Sequence, residues 1–252
     1  MSIEKIRDLT LVSLDSEKSL VISCDSSGSI GMKEKDVLKI PPFYVGKFTA
    51  RVAIMEVMCA GGNIVTLTNV LSCEMKPTGV EIIKGIKEEL KSAKIDDISL
   101  TGSTEENFKT YSTGVGVTVI GVGKRNELKI NNIKDKEGCI IISIGIPKVG
   151  DEIDIKNDKE IVSYDSIKWI LENDLSYEMV PVGSKGILYE AKLLCKNNNS
   201  RLKTNKDVRV DIYKSSGPST CIIAAVKKKD LKSITSHIDY INIIGELENL
   251  RK

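Results

Sequence analysis

The first half of the sequence alternates between short apolar runs and segments with helical spacing. Leu20–Cys24 has the composition of a strand, and a helix is predicted from Pro41-Pro42 to the stop at Gly61-Gly62. Along that helix, apolar side chains recur at helical intervals: Phe48, Val52, Met55 and Cys59. Strands that alternate with helices predict a mixed α/β fold.

Further elements follow in the same half. Asn63–Glu74 is rich in Val, Thr and Leu and predicts a strand. Thr78 and Glu81 have the spacing of a capping box ahead of a helix that buries Ile83, Ile86 and Leu90. After Ile98–Leu100 comes a predicted loop, Gly102–Asn107, and then the alternating strand pattern Val115, Val117 and Val119.

The polar stretch Lys124–Gly138 is the best candidate for a domain boundary, which gives domains of residues 1–124 and 125–252. Beyond it, Cys139–Gly145 is an unbroken apolar run, typical of a strand that is covered on both faces. Helices are predicted at Ser163–Leu175 and around Ile187–Cys195. The remaining predicted strands are Cys221–Val226 and Ile238–Ile244.

The charges nearly cancel, with 37 Lys and Arg against 35 Asp and Glu. Such a balance does not indicate the excess of positive charge that binds nucleic acid or an anionic membrane. The N-terminus lacks the apolar stretch of a signal peptide, and the longest uncharged run is broken by Gly61-Gly62. We therefore expect a cytoplasmic protein with neither nucleic acid nor a membrane as partner.

The residue types that are scarce also limit the chemistry. Six scattered cysteines form no C-x-x-C pair, which argues against disulfides and structural zinc. His237 is the single histidine and lies ahead of an apolar run, where a catalytic role is not indicated. Chemistry in this chain must rest on carboxylates, hydroxyls, lysines and a bound metal.

Two carboxylates stand out by their surroundings. Asp25 follows a buried strand, a good position for a hard cation, although Asp-Ser-Ser-Gly is also an ordinary turn sequence. Glu56 lies in an otherwise apolar helix stretch and is expected to be partly buried, with a metal or a pairing with Lys47 or Arg51 as alternatives. Asn69, midway along an uncharged strand, needs a polar partner for the same reason.

Gly102–Asn107 is a run of small, hydroxyl, acidic and amide residues that suits a loop for phosphate and Mg²⁺. A capping box at Ser103 and Glu106 is the alternative, but little helical periodicity follows. Neither a Walker loop nor a dinucleotide-binding glycine fingerprint occurs. In the second half, Gly183–Gly186 opens a helix and offers an anion site, or simply a glycine-rich helix start.

Three segments together resemble the ATP-binding half of the aminoimidazole ribonucleotide synthetase-like (PurM-like) superfamily: Cys24–Gly28, Gly46–Glu56 with Gly61-Gly62, and Thr101–Asn107. Gly183–Ala191 and Ser215–Thr220 are similar to one branch, the α-ribazole kinases of cobamide salvage. The resemblance implies a two-domain fold, in which the N-terminal domain forms a β-barrel across a homodimer and the C-terminal domain is α/β.

The resemblance also implies the site. Asp25, Glu56 and Glu106 would bind Mg²⁺, while Lys47 or Lys185 would neutralise charge on the transferred phosphoryl group. ATP would contact a set of polar residues in the first domain: Asn69, Gly102, Ser103, Thr104, Glu105, Glu106 and Asn107. The substrate would contact residues of the second domain: Ser184, Lys185, Gly186, Ser215 and Gly217.

The activity implied is ATP-dependent phosphorylation of a ribose hydroxyl, with α-ribazole as the leading acceptor. Ser103 stands where relatives commonly have an acid, and the Gly-Asp-Asp loop of thiamine-monophosphate kinases is missing, so thiamine phosphate is disfavoured as the substrate. An ATP-dependent cyclo-ligase of the aminoimidazole ribonucleotide synthetase type and a non-catalytic nucleotide-sensing dimer are the alternatives.

Overall fold

The computed structural model describes residues 2–250. The chain divides into two units, each with its own core. The first contains the chain up to Met58 together with Gly62–Glu127, and the second contains Cys59–Gly61 and the chain from Leu128 onward. Among the described residues, no helix combines the length and the apolar character needed to cross a membrane.

The first unit is built on one large sheet with two helices. Its strands are β1 (Ile3–Ile6), β2 (Leu9–Ser13), β3 (Lys18–Gly28), β4 (Ile30–Gly31), β5 (Leu38–Lys39), β6 (Asn63–Leu71), β7 (Ser99–Thr104) and β8 (Gly114–Lys124). Its helices are α1 (Pro42–Cys59) and α2 (Val80–Ser92). Six strands form the sheet in the order β1-β2-β3-β8-β6-β7, and β4 and β5 pair separately. Only β6 and β7 run parallel within the large sheet. The mixed α/β fold class is confirmed.

The two helices cross at a pair of glycines. A Cβ atom at Gly46 of α1 would lie 2.1 Å from the carbonyl oxygen of Ile82, and one at Gly85 of α2 would lie 1.8 Å from that of Phe43. No side chain fits at either contact, so the two backbones can approach closely. Helix α1 also covers the sheet, since a Cβ atom at Gly121 of β8 would lie 2.5 Å from the Val57 side chain.

Two predicted loops are strands in the structure. Strand β3 continues through Asp25 to Gly28, because β8 extends far enough to pair with it residue by residue. Likewise Gly102–Thr104 pairs with Asn69–Leu71 and belongs to β7. In both places the hydrogen-bonded ladder outweighs the turn preference of Ser, Asp and Gly.

The predicted capping box is wrong. The Thr78 hydroxyl donates to the Glu74 carboxylate at 2.5 Å, and no side chain caps α2. A wide turn over Met75–Gly79 leads directly into α2, so Thr78 lies inside a helical segment where no N-cap is needed. Glu81 instead forms an exposed ion pair with Lys84, at 2.7 Å.

The second unit has a five-stranded antiparallel sheet. Its strands are β9 (Cys139–Ile144), β10 (Ser176–Pro181), β11 (Ser200–Thr204), β12 (Ile222–Lys227) and β13 (Ile241–Asn249), in the order β10-β12-β9-β13-β11. Its helices are α3 (Tyr164–Glu172), α4 (Gly186–Asn197) and α5 (Leu231–His237). Every residue of the central strand β9 is buried, as its unbroken apolar run predicts.

The predicted helices of this unit are confirmed, and Ser163 caps α3 by accepting a bond from the Ser166 amide at 3.0 Å. Strands β10 and β11 and helix α5 were not predicted. Each is short and carries polar residues within it, so its periodicity is weak. His237 ends α5 and stacks on Trp169, with ring centroids 4.0 Å apart, which gives it a packing role.

Candidate functional site

Three residues of the predicted site form one row across the first-unit sheet, joined through Val117. Val117 of β8 is paired on one side with Asp25 of β3 and on the other with Asn69 of β6, and Asn69 is paired with Gly102 of β7. Directly paired residues point to the same face of a sheet. With about 4.8 Å between neighbouring strands, Asp25 and Asn69 are separated by roughly 10 Å. The row lies near the end of the sheet at which β3, β6 and β7 finish.

Asp25 is the most electrostatically unusual of these residues. Burial raises the pKa of its carboxyl group to about 6, opposed by a hydrogen bond from the Ser26 amide and assisted by the negative charge of Asp8. The ionised form of this half-buried carboxylate is therefore less stable than that of a solvent-exposed carboxylate in a turn. An ordinary solvent-exposed turn aspartate would not show this shift.

Asn69 is buried, as predicted, and its amide nitrogen donates to the Thr101 carbonyl at 3.2 Å. Its side chain lies across Gly102, where an added Cβ atom would be 2.6 Å from the Asn69 side-chain oxygen. Gly102 therefore makes room for Asn69. The sequence predicts that Gly102 lies in a phosphate-binding loop. The structure places it in strand β7 instead.

Glu56 is also buried in α1, in agreement with its apolar sequence context. The two cations considered as its partners both approach Glu89 of α2, Arg51 at 3.3 Å and Lys47 at 4.0 Å. Lys47 is thus beside a carboxylate, which reduces the positive charge that it can offer to a phosphoryl group.

The end of the sheet carries a polar network that sequence reasoning missed. Buried Asp36 accepts bonds from the Lys33 amide at 2.8 Å, the Thr113 amide at 2.7 Å and the Thr113 hydroxyl at 2.7 Å. Those bonds hold the pKa of Asp36 below its usual value, although burial opposes them. Lys33 reaches Glu74 at 2.5 Å. Asp36 lies in a charged run, which is the usual pattern of a surface loop, so no local signal revealed its burial.

The two acids of the predicted nucleotide loop shape the loop itself. Glu105 accepts from the amides of Asn107 and Phe108, at 2.7 and 3.1 Å. Glu106 accepts from the Met75 amide at 2.7 Å and from the Thr104 hydroxyl at 2.9 Å. Ser103 lies on the edge strand β7 and is exposed. Part of the hydrogen-bonding capacity of both acids is therefore used within the protein.

A magnesium ion held by protein side chains alone would need several acidic groups close together. Within residues 2–250, no three His, Cys, Asp or Glu side chains gather closely enough to hold a metal ion. Asp25, Glu56 and Glu106 therefore do not form a three-carboxylate cage in one chain. Magnesium held jointly by these predicted carboxylates and the nucleotide phosphates stays a prediction.

In the second unit, the structure brings the two predicted substrate segments together. The Ser216 amide donates to the Gly183 carbonyl at 3.1 Å, and the Leu188 amide donates to that of Ile212 at 2.9 Å. Gly186 has a φ of 80°, and a Cβ atom there would lie 2.7 Å from the Tyr213 backbone. Ser184, Lys185 and Gly186 thus adjoin Ser215 and Gly217, at the edge where β10 ends and β12 begins.

The groups in these segments differ in exposure. Ser184 and Lys185 are exposed, and the Lys185 ammonium lies 4.4 Å from the Tyr189 ring centroid. Ser216 is fully buried and accepts from the Cys221 amide at 3.0 Å, and it also bonds with the Thr220 hydroxyl at 2.8 Å. Buried hydrogen bonds of this kind fix the loop, while the exposed hydroxyls and amine remain accessible to a ligand.

A lysine that the sequence did not single out anchors the neighbouring loop. Lys148 contacts Asp158 at 2.8 Å and Glu160 at 2.6 Å, and its backbone amide donates to the Thr220 hydroxyl at 2.9 Å. These two carboxylates raise the pKa of Lys148, against the opposing effect of burial. Lys148 therefore connects the loop after β9 to the loop before β12.

Comparison with known proteins shows which folds this architecture resembles. Residues 7–123, which make up nearly the whole first unit, match the family described as AIR synthase related protein, N-terminal domain. The matched segment is a little under half of the chain. The fold is PurM-like and mixed α/β, as predicted. No significant match was found among curated proteins.

Particular solved structures share the fold over nearly the whole chain. Thiamine monophosphate kinase (ThiL) from Aquifex aeolicus is 14% identical, with a TM-score of 0.70, over 97% of this chain and 90% of its own. AaThiL complexed with AMPPCP and TMP is 14% identical, with a TM-score of 0.66, over 97% of this chain and 85% of its own. T. maritima PurL complexed with AMPPCP is 16% identical, with a TM-score of 0.68, over 94% of this chain and 41% of its own. This chain thus spans less than half the length of PurL. At these identities the likeness concerns the fold.

Proposed function

We propose that this protein binds ATP on its first unit and transfers a phosphoryl group to a hydroxyl of a nucleoside-like small molecule, with α-ribazole as the acceptor. The observation that carries the proposal is the row of Asp25, Asn69 and Gly102 at one end of the sheet. Support comes from the structural neighbours, since ThiL and PurL were both solved with the ATP analogue AMPPCP.

The two kinds of structural neighbour are covered to different extents. ThiL, named a thiamine monophosphate kinase, is covered over 90% of its length, whereas PurL is covered over 41%. A kinase needs a nucleotide site and an acceptor site, and the two groups of predicted residues lie in different units. We assign the nucleotide to the first unit and the acceptor to the second.

Each predicted residue has a role in this proposal. Asp25, with Glu56 and Glu106 as further acidic groups, would hold the Mg²⁺ that ATP carries, and the ion would neutralise phosphate charge there. Asn69 and residues 102–107 bind the nucleotide. Lys47, beside Glu89, is a weaker candidate for stabilising the transferred group than Lys185, which has no carboxylate partner among residues 2–250.

Acceptor binding is assigned to the loops of the second unit. Ser184, Lys185 and Gly186 open α4, where backbone amides and a helix N-terminus favour an anionic or hydroxyl-rich ligand. Ser215 and Gly217 lie on the adjoining loop that buried Ser216 fixes. Catalysis would then consist of positioning and electrostatic stabilisation, without a covalent intermediate on the protein.

A nucleotide-sensing dimer without turnover is the second candidate. It is favoured by the absence of any three-carboxylate cluster in residues 2–250 and by the internal hydrogen bonds of Glu105 and Glu106. A sensor would bind ATP and transfer no phosphate to any acceptor.

The test is an ATP-consumption assay with Mg²⁺ and three acceptors: α-ribazole, thiamine monophosphate and formylglycinamidine ribonucleotide. Mass spectrometry of the products follows. One added phosphate on α-ribazole alone is the expected result, and D25N should lower turnover by about 10²-fold. D96N, at an exposed aspartate, is the matched control. Product from formylglycinamidine ribonucleotide would support a cyclo-ligase, and ATP binding without product would support the sensor.

A further inference from the structure

Two loops of the first unit come together beyond the end of its sheet. The Ser29 amide donates to the Thr113 carbonyl at 2.9 Å, and the Lys35 amide donates to the Tyr111 carbonyl at 2.8 Å. Asp36 joins the same loops through its bonds to Thr113. The backbone around Tyr111 is therefore fixed from both sides.

Two ammonium groups lie near the ring of Tyr111. Lys35 is 5.4 Å and Lys109 is 5.1 Å from the centroid of its ring. Neither lysine has a carboxylate within ion-pair distance among residues 2–250, whereas neighbouring Lys33 is paired with Glu74. Two cations near one ring repel each other, and a polyanion that contacts both would offset that repulsion.

The same loops expose large apolar side chains. Phe108, next to Lys109, is 78% exposed, and Met32 is 60% exposed. The Phe108 amide donates to Glu105 at 3.1 Å, which fixes the backbone that carries this exposed ring. An exposed aromatic ring, next in sequence to the unpaired Lys109 and on the same loops as Lys35, suits a ligand with both a flat ring and a chain of negative charge.

We propose that Lys35, Tyr111 and Lys109 bind the phosphates of a nucleoside triphosphate, with its base against Phe108. This inference rests on the proposed function and names the residues that provide nucleotide affinity. A cation–π contact at an exposed site is weak, so each lysine can exchange it for charge-assisted hydrogen bonds to phosphate oxygens. Glu105 and Glu106 form hydrogen bonds within the protein, which is consistent with the two lysines, and not these acids, providing the contacts to phosphate.

The test is calorimetric titration of the full chain with ATP, tripolyphosphate and adenosine. The double variant K35Q/K109Q should bind ATP and tripolyphosphate at least about tenfold more weakly, since it loses hydrogen bonds to charged groups. F108A should weaken ATP binding and leave tripolyphosphate binding unchanged. K84Q/K124Q, which removes two exposed lysines paired with glutamates elsewhere in this unit, is the matched control.

The outcomes separate this inference from the proposed function. ATP binding by the wild type with equal affinity in K35Q/K109Q would overturn the inference and leave the proposed function standing. If the wild type transfers no phosphate but K35Q/K109Q binds tripolyphosphate more weakly than the wild type, the proposed kinase activity is overturned and the anion site is retained. A wild type that binds neither ATP nor tripolyphosphate would overturn both.

Discussion

At the scale of single residues, Asp25 combines a strand position with a strongly shifted carboxyl group. Its pKa rises from 3.8 to about 6, with burial as the main cause. The folded protein therefore holds a proton on Asp25 at pH values where the unfolded chain has released it. The contribution of Asp25 to folding stability is therefore fully present below about pH 4, and it is lost as the pH rises through about 6.

We predict that D25N makes the protein more stable than the wild type at pH 7.5, by about 2 kcal/mol. Near pH 3 the two proteins should be closer in stability, because Asp25 is then largely protonated in both the folded and unfolded states. Urea denaturation at the two pH values measures the difference. Equal stability of both proteins at pH 7.5 would show that Asp25 is solvated as in an ordinary turn.

A second prediction at this scale concerns Gly102. G102A would place a Cβ atom 2.5 Å from the Asn69 carbonyl oxygen, so the Asn69 side chain or strand β7 must shift, and we expect a loss of about 1–3 kcal/mol. G28A is the control, because a Cβ atom at Gly28, near the same end of the sheet, meets nothing within 4 Å. Denaturation of both variants measures the difference, and similar losses in the two would contradict this role for Gly102.

At the scale of secondary-structure elements, the position of α1 on α2 depends on the glycine contact. G46A and G85A would each bring a Cβ atom to about 2 Å from a backbone carbonyl oxygen of the other helix. Backbone atoms cannot rotate away as side chains can, so the helices must separate.

We expect each alanine variant to lower the stability of the first unit by at least about 2 kcal/mol, even though alanine favours helix. K87A, on the exposed side of α2, is the control and should be neutral or slightly stabilising. Thermal unfolding measures these changes. Increased stability in G85A would mean that the close crossing of the two helices is wrong.

At the scale of the whole molecule, one face of the first-unit sheet remains open among the described residues. Val70 of β6 is 56% exposed, while its neighbours Asn69 and Leu71 are buried on the face that α1 covers. Val65 is 46% exposed on the same strand. A dimer in which this sheet forms a barrel with a second subunit, as the resemblance implies, stays a prediction.

If the barrel forms, V70D should convert the protein to monomers, because a carboxylate would be buried at the interface without a partner. The single chain should keep its fold, since Val70 is exposed within it. Light scattering after size-exclusion chromatography measures the mass. I243D, at an exposed apolar position of the second unit, is the control, and an unchanged dimer in V70D would argue against this interface.

The sequence by itself determined the mixed α/β class, the helices α1, α3 and α4, and the burial of Glu56, Asn69 and strand β9. These features follow from local patterns: apolar spacing, a proline at a helix start and a polar residue in an apolar context. Such patterns are complete within ten or twenty residues.

Only the tertiary structure decided that Asp25 and Gly102 lie in strands, that Asn69 covers Gly102, and that Asp36 is buried. The reason is that strand pairing joins residues far apart in the chain. A segment such as Gly102–Thr104 prefers a turn when alone and becomes a strand when β6 satisfies its backbone hydrogen bonds. The residues that surround Tyr111 meet by the same long-range pairing, which no local pattern encodes.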